Sequence, residues 1–259
     1  MSLKNIVVPI GTRRGTRLNL DIASQPPITR VREPVRPTAG KVVGFFPSTK
    51  MNSQIAWESQ LEKRACFLFE FSPCVISYRE QPLTIYFPTE GKFRKYTPDF
   101  EIILKDGRRV YVEIKPASKL KDEALKTKLR DISEFFHKQN SQFIVITDEE
   151  LNQPTRQSNL AFLRPYLSLK CHVDLVNSAI KFIQQNKRVD ISDLTEFTGS
   201  LSTTYSLIAQ GHIAINLDQL LCPNTLLTVS KEFNDEACLF TYRTEPNFER
   251  NPLHSESYS

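Results

Sequence analysis

Apolar residues recur at every second position in two short runs near the middle of the chain. Phe100, Ile102 and Leu104 form the first run, and Val110, Val112 and Ile114 form the second. A period of two is that of a half-buried strand. Lys105-Asp106-Gly107 separates the runs. As a three-residue hairpin loop it puts Gly107 in the left-handed region, where a missing Cβ removes the steric penalty. That register sets Phe100 opposite Val112 and Ile102 opposite Val110, so the apolar residues share one face. A two-residue Asp-Gly loop shifts the pairing by one and splits that face between core and solvent. The same register sets Asp99 opposite Glu113, with Lys115 two positions along on the same face. The plainer reading is an ordinary hairpin with a charged outer face.

The flanking pattern adds helices. The run from Ile55 to Phe71 has Leu61, Ala65, Leu68 and Phe69 at core spacing, with Ser53 as a plausible N-cap. Glu62 lies on the line Glu62, Ala65, Cys66, Phe69, at the edge of the buried stripe. A charge there is costly unless it has a partner. A metal ion is one such partner, and an ion pair with a nearby lysine or arginine is the other. Glu58, one turn earlier on the same side, is the rival, and Glu70 reads as solvated. Tyr78-Arg79-Glu80-Gln81-Pro82 belongs to a preceding strand pair, in which Arg79 and Glu80 read as a structural ion pair. Lys119 to Gln139 is a helix facing the core with Leu125, Leu129, Ile132 and Phe135 or Phe136. Gln142 to Thr147 is a buried strand.

From about Ser168 a second unit begins. Val173 to Asn186, Ile191 to Phe197 and Ser202 to Gln210 read as helices, and Ile213–Leu217 and Thr225–Val229 as strands. Three helices followed by a hairpin is the winged-helix order. Yet the third helix has no Arg or Lys, which major-groove readers normally need. The unit is therefore at least as well suited to a protein partner as to DNA. Residues 241–259 are polar, contain two prolines and read as a flexible tail.

The chain's 259 residues are enough for one large or two modest domains with a core that needs no staples. Its five cysteines show no paired spacing, which indicates neither zinc nor a disulfide framework. No signal peptide or long apolar run appears, and a cytoplasmic location is expected. Charge is uneven. Residues 1–50 hold nine Lys/Arg against two Asp/Glu, a net +7, so the remainder carries −2 of the total +5. Arg13, Arg14 and Arg17, followed by a proline-rich stretch, read as an extended basic arm. Such an arm either neutralises DNA phosphates, docks on a protein partner or acts as a solubilising leader. Lys119 and Lys121 lie closest to the hairpin carboxylates and are candidate DNA contacts, or part of a wet helix face.

The candidate chemistry is Tyr96-Thr97-Pro98-Asp99 followed by Glu113-Ile114-Lys115. It resembles the motif of the PD-(D/E)xK nucleases, which use two carboxylates to hold Mg²⁺ and a lysine to help activate water. A wider set of segments resembles the catalytic domain of the TnsA endonucleases of heteromeric transposases. These are Val43-Gly44-Phe45-Phe46-Pro47-Ser48, Trp57-Glu58-Ser59-Gln60-Leu61-Glu62, Leu68-Phe69-Glu70-Phe71-Ser72-Pro73 and Glu80-Gln81-Pro82, then the motif itself and Ile144-Val145-Ile146-Thr147-Asp148.

The resemblance implies an α/β restriction-endonuclease-like sandwich with a C-terminal winged-helix-like domain. On this reading residues 1–50 are the basic arm, 51–167 the nuclease domain, 168–240 a partner-binding domain and 241–259 the tail. It implies Glu62, rather than Glu58, as the helix glutamate. With Asp99 and Glu113 it would hold one or two Mg²⁺ ions, for which Mn²⁺ would substitute, and Lys115 would act on the attacking water. Family members vary between Glu and Gln at the position of Glu113. The resemblance also implies cleavage of the non-transferred strand at the 5′ ends of a transposon. The implied partners are transposon-end DNA, a DDE-type (TnsB-like) transposase subunit and an AAA+ (TnsC-like) ATPase regulator that engages the distal domain. The alternatives are a stand-alone restriction or junction-resolving endonuclease, which would cut without a transposase, and a catalytically retired adaptor.

Overall fold

A computed structural model of the chain describes residues 6–8, 42–89, 92–229, 239–244 and 248–250. Arg13, Arg14 and Arg17 of the expected basic arm lie outside the described residues. Strand β1 (Ile6–Val8) is followed by a hairpin of β2 (Gly44–Ser48) and β3 (Ser53–Trp57), then helix α1 (Gln60–Phe71). Next come β4 (Val75–Glu80), β5 (Thr84–Thr89), β6 (Lys92–Tyr96), β7 (Phe100–Leu104) and β8 (Arg109–Lys115). A 3₁₀ turn (Ala117–Lys121), α2 (Glu123–His137) and β9 (Gln142–Thr147) follow. The chain then runs through α3 (Asp148–Leu151), α4 (Pro154–Leu163), a second 3₁₀ turn (Arg164–Ser168), α5 (Val173–Gln185), α6 (Ile191–Thr198) and α7 (Leu201–Ala209). It ends in the two-residue strands β10 (Ile213–Ala214), β11 (Thr228–Val229), β12 (Arg243–Thr244) and β13 (Glu249–Arg250).

The central sheet has six strands in the order β13-β12-β9-β8-β7-β4, and β8–β9 is its parallel pair. A parallel pair needs a crossover, here supplied by α2. The β7–β8 hairpin has the register that the apolar pattern requires, Phe100 opposite Val112 and Ile102 opposite Val110. Gly107 takes φ +85°. The Leu104 N–H donates to the Arg108 carbonyl and the Gly107 N–H to the Leu104 carbonyl, both at 2.9 Å. One face of the sheet, with Phe100, Val110, Val112 and Ile114, packs against Leu68 and Phe69 of α1. The other, with Tyr111, Phe143 and Val145, packs against Leu129, Ile132, Phe135 and Phe136 of α2 and Ile85 and Phe87 of β5. Tyr111 stacks on Phe136 with ring centroids 4.1 Å apart.

Several expectations need correction. Helix α1 starts at Gln60, not near Ile55, and Ser59 rather than Ser53 is its N-cap. Ile55 and Trp57 instead pair with Phe46 and Gly44 across the β2–β3 hairpin. Gly44 is required there, because a Cβ would lie 2.3 Å from the Trp57 indole. The hairpin spans position 50, so the end of the expected arm is folded into the core. Glu70 is not solvated but 4 % exposed. Arg79 does not pair with Glu80, since neighbours on a strand point to opposite faces. Arg79 and Arg109 both pair with buried Glu101, and Glu80 accepts the Ala56 N–H at 3.1 Å. The helix expected from Lys119 begins as the 3₁₀ turn, and Asp122 caps α2 by accepting from the Ala124 N–H at 2.9 Å.

The expected tail also begins inside the fold. Arg243 of β12 pairs with Val145 of β9, and Phe248 is buried in the cluster beneath α2. Cys74 is disulfide-bonded, which the cysteine spacing gave no reason to expect, whereas Cys66, Cys171 and Cys222 are free. Helices α5 to α7 lie where periodicity placed them, but β10 and β11 are shorter than expected. Leu160 and Leu163 of α4, with Val176, Ala179 and Leu207, join the same apolar cluster as α1. The distal helices therefore share a core with the sheet. Among the described residues no helix is long and apolar enough to cross a membrane.

Candidate functional site

The β7–β8 ladder stops at the rung Phe100–Val112, and the candidate site begins one residue beyond it. The Asp99 carbonyl turns away to accept the Gln81 N–H at 2.9 Å. The Asp99 carboxylate instead takes the next position on β8, its Oδ2 accepting the Ile114 N–H at 2.7 Å. A side chain thus completes the strand pairing and is fixed beside the end of β8. Glu113, 5 % exposed, accepts from the Tyr96 hydroxyl through Oε2 and from Lys115 Nζ through Oε1 at 2.5 Å. Lys115 Nζ lies 4.0 Å from Asp99 Oδ2 and donates to the Ile114 carbonyl at 3.3 Å.

Glu62 reaches the same region from the first turn of α1. Its Oε2 accepts the Glu58 N–H at 2.7 Å and its Oε1 accepts the Ser59 hydroxyl at 2.9 Å, while the Ser59 hydroxyl takes the Glu62 N–H. This is a capping-box arrangement with the return bond one residue upstream of the N-cap. Glu62 therefore has a structural role in starting the helix as well as a place near the hairpin.

The electrostatics tie these residues together. Burial raises the Asp99 carboxyl well above the usual carboxylate range, and Glu113 and Glu62 add to the rise. Lys115 and the Ile114 N–H oppose it. Burial also raises Glu62, against the two bonds it accepts. Burial pulls the Lys115 ammonium down, but Glu113, Asp99 and Glu62 outweigh it and leave Lys115 above its ordinary value. Of the two rival glutamates, Glu62 is the one whose charge registers at both Asp99 and Lys115. Glu58 is held elsewhere, its Oε1 accepting from the Gln81 side-chain amide at 2.9 Å.

Gln81 is the residue that sequence reasoning missed. It joins Glu58 by its side chain to the Asp99 backbone by its own N–H, at φ +41°. Positive φ is uncommon for a non-glycine residue and costs about 1–3 kcal/mol. It is less expected still before a proline, which biases its predecessor to extended backbone. Tyr96 was also passed over as a contact, although it opens the motif.

Asp99, Glu113 and Lys115 are thus brought together, and Glu62 is near enough for its charge to act on Asp99 and Lys115. Lys119 and Lys121 are exposed on the 3₁₀ turn that leaves β8. Three carboxylates face one ammonium, with Glu113 buried and Glu62, Asp99 and Lys115 half-buried. A surplus of negative charge partly withdrawn from water, with oxygen donors, fits a hard divalent cation. As the side chains now lie, no three Asp, Glu, His or Cys residues among the described ones close on a single metal position. Glu113 is drawn toward Lys115 and Tyr96, and Glu62 toward the helix start.

Residues 72–148 match the family described as TnsA-like endonuclease N terminal. That stretch carries Asp99, Glu113 and Lys115 and leaves Glu62 outside it. No curated protein matches the chain.

Proposed function

We propose, from the match of residues 72–148 to the TnsA-like endonuclease N-terminal family, that this chain is the metal-dependent DNA endonuclease subunit of a heteromeric transposase. In this role it cleaves the non-transferred strand at the 5′ ends of the element. The observation that carries the reading is the gathering of Asp99, Glu113, Glu62 and Lys115 at one end of the sheet, with more negative charge than the site neutralises.

Asp99, Glu113 and Glu62 would hold Mg²⁺, or Mn²⁺ in its place. The ion would supply Lewis-acid stabilisation of charge on the phosphate and the leaving oxygen. Asp99 is fixed for this by the Ile114 N–H, and the Ile114 carbonyl is a further oxygen at the same edge. Lys115 stands within reach of both hairpin carboxylates, where its ammonium orients the attacking water or accepts its proton in the free-amine form. Tyr96 holds the second oxygen of Glu113. Helices α5 to α7 and the β10–β11 ribbon are read as the winged-helix-like unit that engages a protein partner, since α7 offers Ser, Thr and Tyr but no Arg or Lys.

The test is strand-specific cleavage of transposon-end DNA with Mg²⁺, the transposase subunit and the ATPase regulator present. Asp99→Ala and Lys115→Ala are expected to lose the 5′-end cuts and keep the 3′ cuts. Unchanged 5′ cutting would remove the catalytic assignment and leave an adaptor.

A further inference from the structure

Strand β6 runs directly into the site, and its composition is not that of an ordinary strand. Lys92, Phe93, Arg94 and Lys95 are all exposed, and only Tyr96 at its end is buried. The strand is the outer member of the β1-β5-β6 sheet. Lysines on a sheet edge commonly block unwanted strand pairing. That explanation fails for Phe93, which is 55 % exposed. An exposed aromatic on a strand with one paired edge among the described residues invites the association that the lysines would prevent.

The register places these residues around the site. Tyr96 pairs with Ile85 and Arg94 with Phe87. Ile85 and Phe87 are buried against α2, so Arg94 lies on the same side of β6 as Tyr96, which binds Glu113. Lys95 pairs with half-exposed Tyr86 on the opposite side. On the other flank, the chain leaves Lys115 and enters the 3₁₀ turn with Lys119 and Lys121 exposed. Lys128 Nζ of α2 sits 5.7 Å from the centre of the Tyr96 ring, which places α2 beside the end of β6.

We propose that the exposed edge of β6 is a DNA-backbone-binding rail beside the site, gripped from both faces of the strand, with Lys92 reaching phosphates from the Tyr96 side and Lys95 from the opposite side, where Phe93 meets sugar or base faces. It rests on the reading of the chain as a DNA endonuclease. Cations that reach round a strand edge from its two faces can meet successive phosphates of one backbone of a duplex. An exposed aromatic among them gives the apolar contact that base or sugar faces accept without regard to sequence. Five residues of strand span about 16 Å, enough to follow several phosphates leading to the hairpin carboxylates. The rail is sequence-independent, so it positions the scissile strand and leaves end recognition to other subunits.

The experiment measures binding of the full chain to a short fluorescein-labelled DNA duplex by anisotropy, without divalent metal, over a range of salt. Lys92→Ala with Lys95→Ala is expected to lower the log–log salt slope by about 2 and to weaken binding about tenfold or more near physiological salt. Phe93→Ala is expected to weaken binding about fivefold or more with the slope unchanged. Lys187→Ala, an exposed lysine in the distal unit, is expected to change neither. Circular dichroism melts of each variant check that the fold is retained. A wild type that binds no duplex, or β6 variants that bind with wild-type affinity and slope, overturns the rail and leaves the edge to an acidic protein surface. Asp99→Asn, measured alongside, is expected to bind normally and fail to cut. If it cuts like wild type, the catalytic reading fails while the binding result stands on its own.

Discussion

The two ends of α1 both hold buried carboxylates, and they treat them oppositely. At the C-terminal end, Glu70 accepts from the Ser48 hydroxyl at 2.6 Å, the Tyr78 hydroxyl at 2.7 Å and the Lys50 N–H at 2.8 Å. Lys50 Nζ adds a compensating charge and donates to the Phe69, Ser72 and Val75 carbonyls at 2.7–2.9 Å. Every oxygen has a donor and the single negative charge has a positive neighbour. At the N-terminal end, three carboxylates share one ammonium, and burial pushes two of them toward the protonated form. Burial alone therefore does not mark a functional carboxylate; burial without enough compensating charge does.

The contrast can be broken from the structural side first. Glu70→Ala leaves two hydroxyls, a backbone N–H and the Lys50 charge without their partner. It is expected to cost about 3–5 kcal/mol, read as a loss of about 10 °C in a thermal melt. A melt within two or three degrees of wild type would mean that the Glu70 cluster is not the satisfied site described. Asp99→Asn should behave the other way. It keeps an acceptor for the Ile114 N–H and removes one of three crowded charges, so stability is expected to hold or rise while 5′-strand cleavage falls at least about 100-fold.

Metal sharpens the same comparison. Mg²⁺ at ten times its dissociation constant is expected to stabilise the wild type by about 1.4 kcal/mol and to leave Asp99→Asn unmoved. Equal stabilisation of both proteins would place the ion elsewhere. The smallest effect lies at the C-terminal end. Burial lowers the Lys50 ammonium from 10.5 to about 8. Between those values the unfolded chain holds a proton that the folded chain has released, so stability rises with pH across that window. Urea titrations at pH 7.5 and 9 should show wild type gaining about 1 kcal/mol that Lys50→Met does not gain.

How much of this was legible depends on whether local pattern decides each element. The β7–β8 register follows from the alternation of Phe100 to Ile114 and the left-handed demand at Gly107, and with it came the juxtaposition of Asp99, Glu113 and Lys115. The start of α1 was misplaced because Ile55-Ala56-Trp57 suits either period. What makes it strand is pairing with Gly44 and Phe46, which lie on another segment. Glu70 was misread because a one-sided helix stripe leaves it outside, whereas the β2–β3 hairpin and β4 cover that side too. Gln81 had no local signal, since its left-handed backbone is imposed by the turn that binds Asp99. The segment after Thr241 looked polar on average, and the single buried Phe248 that docks it carries little weight in such an average.

That last strand pair has a consequence for how the molecule comes into being. β9 is made early, but its outer neighbour β12 follows only after helices α3 to α7 and the β10–β11 ribbon. On the ribosome, the sheet that carries Asp99 and Glu113 is one rung short until Arg243 has emerged. Until then β9 presents a raw hydrogen-bonding edge. A gene cut after residue 167 would leave that edge permanently open and strip from α4 the packing that α7 supplies. Translation therefore delivers the carboxylates first and closes the sheet around them last.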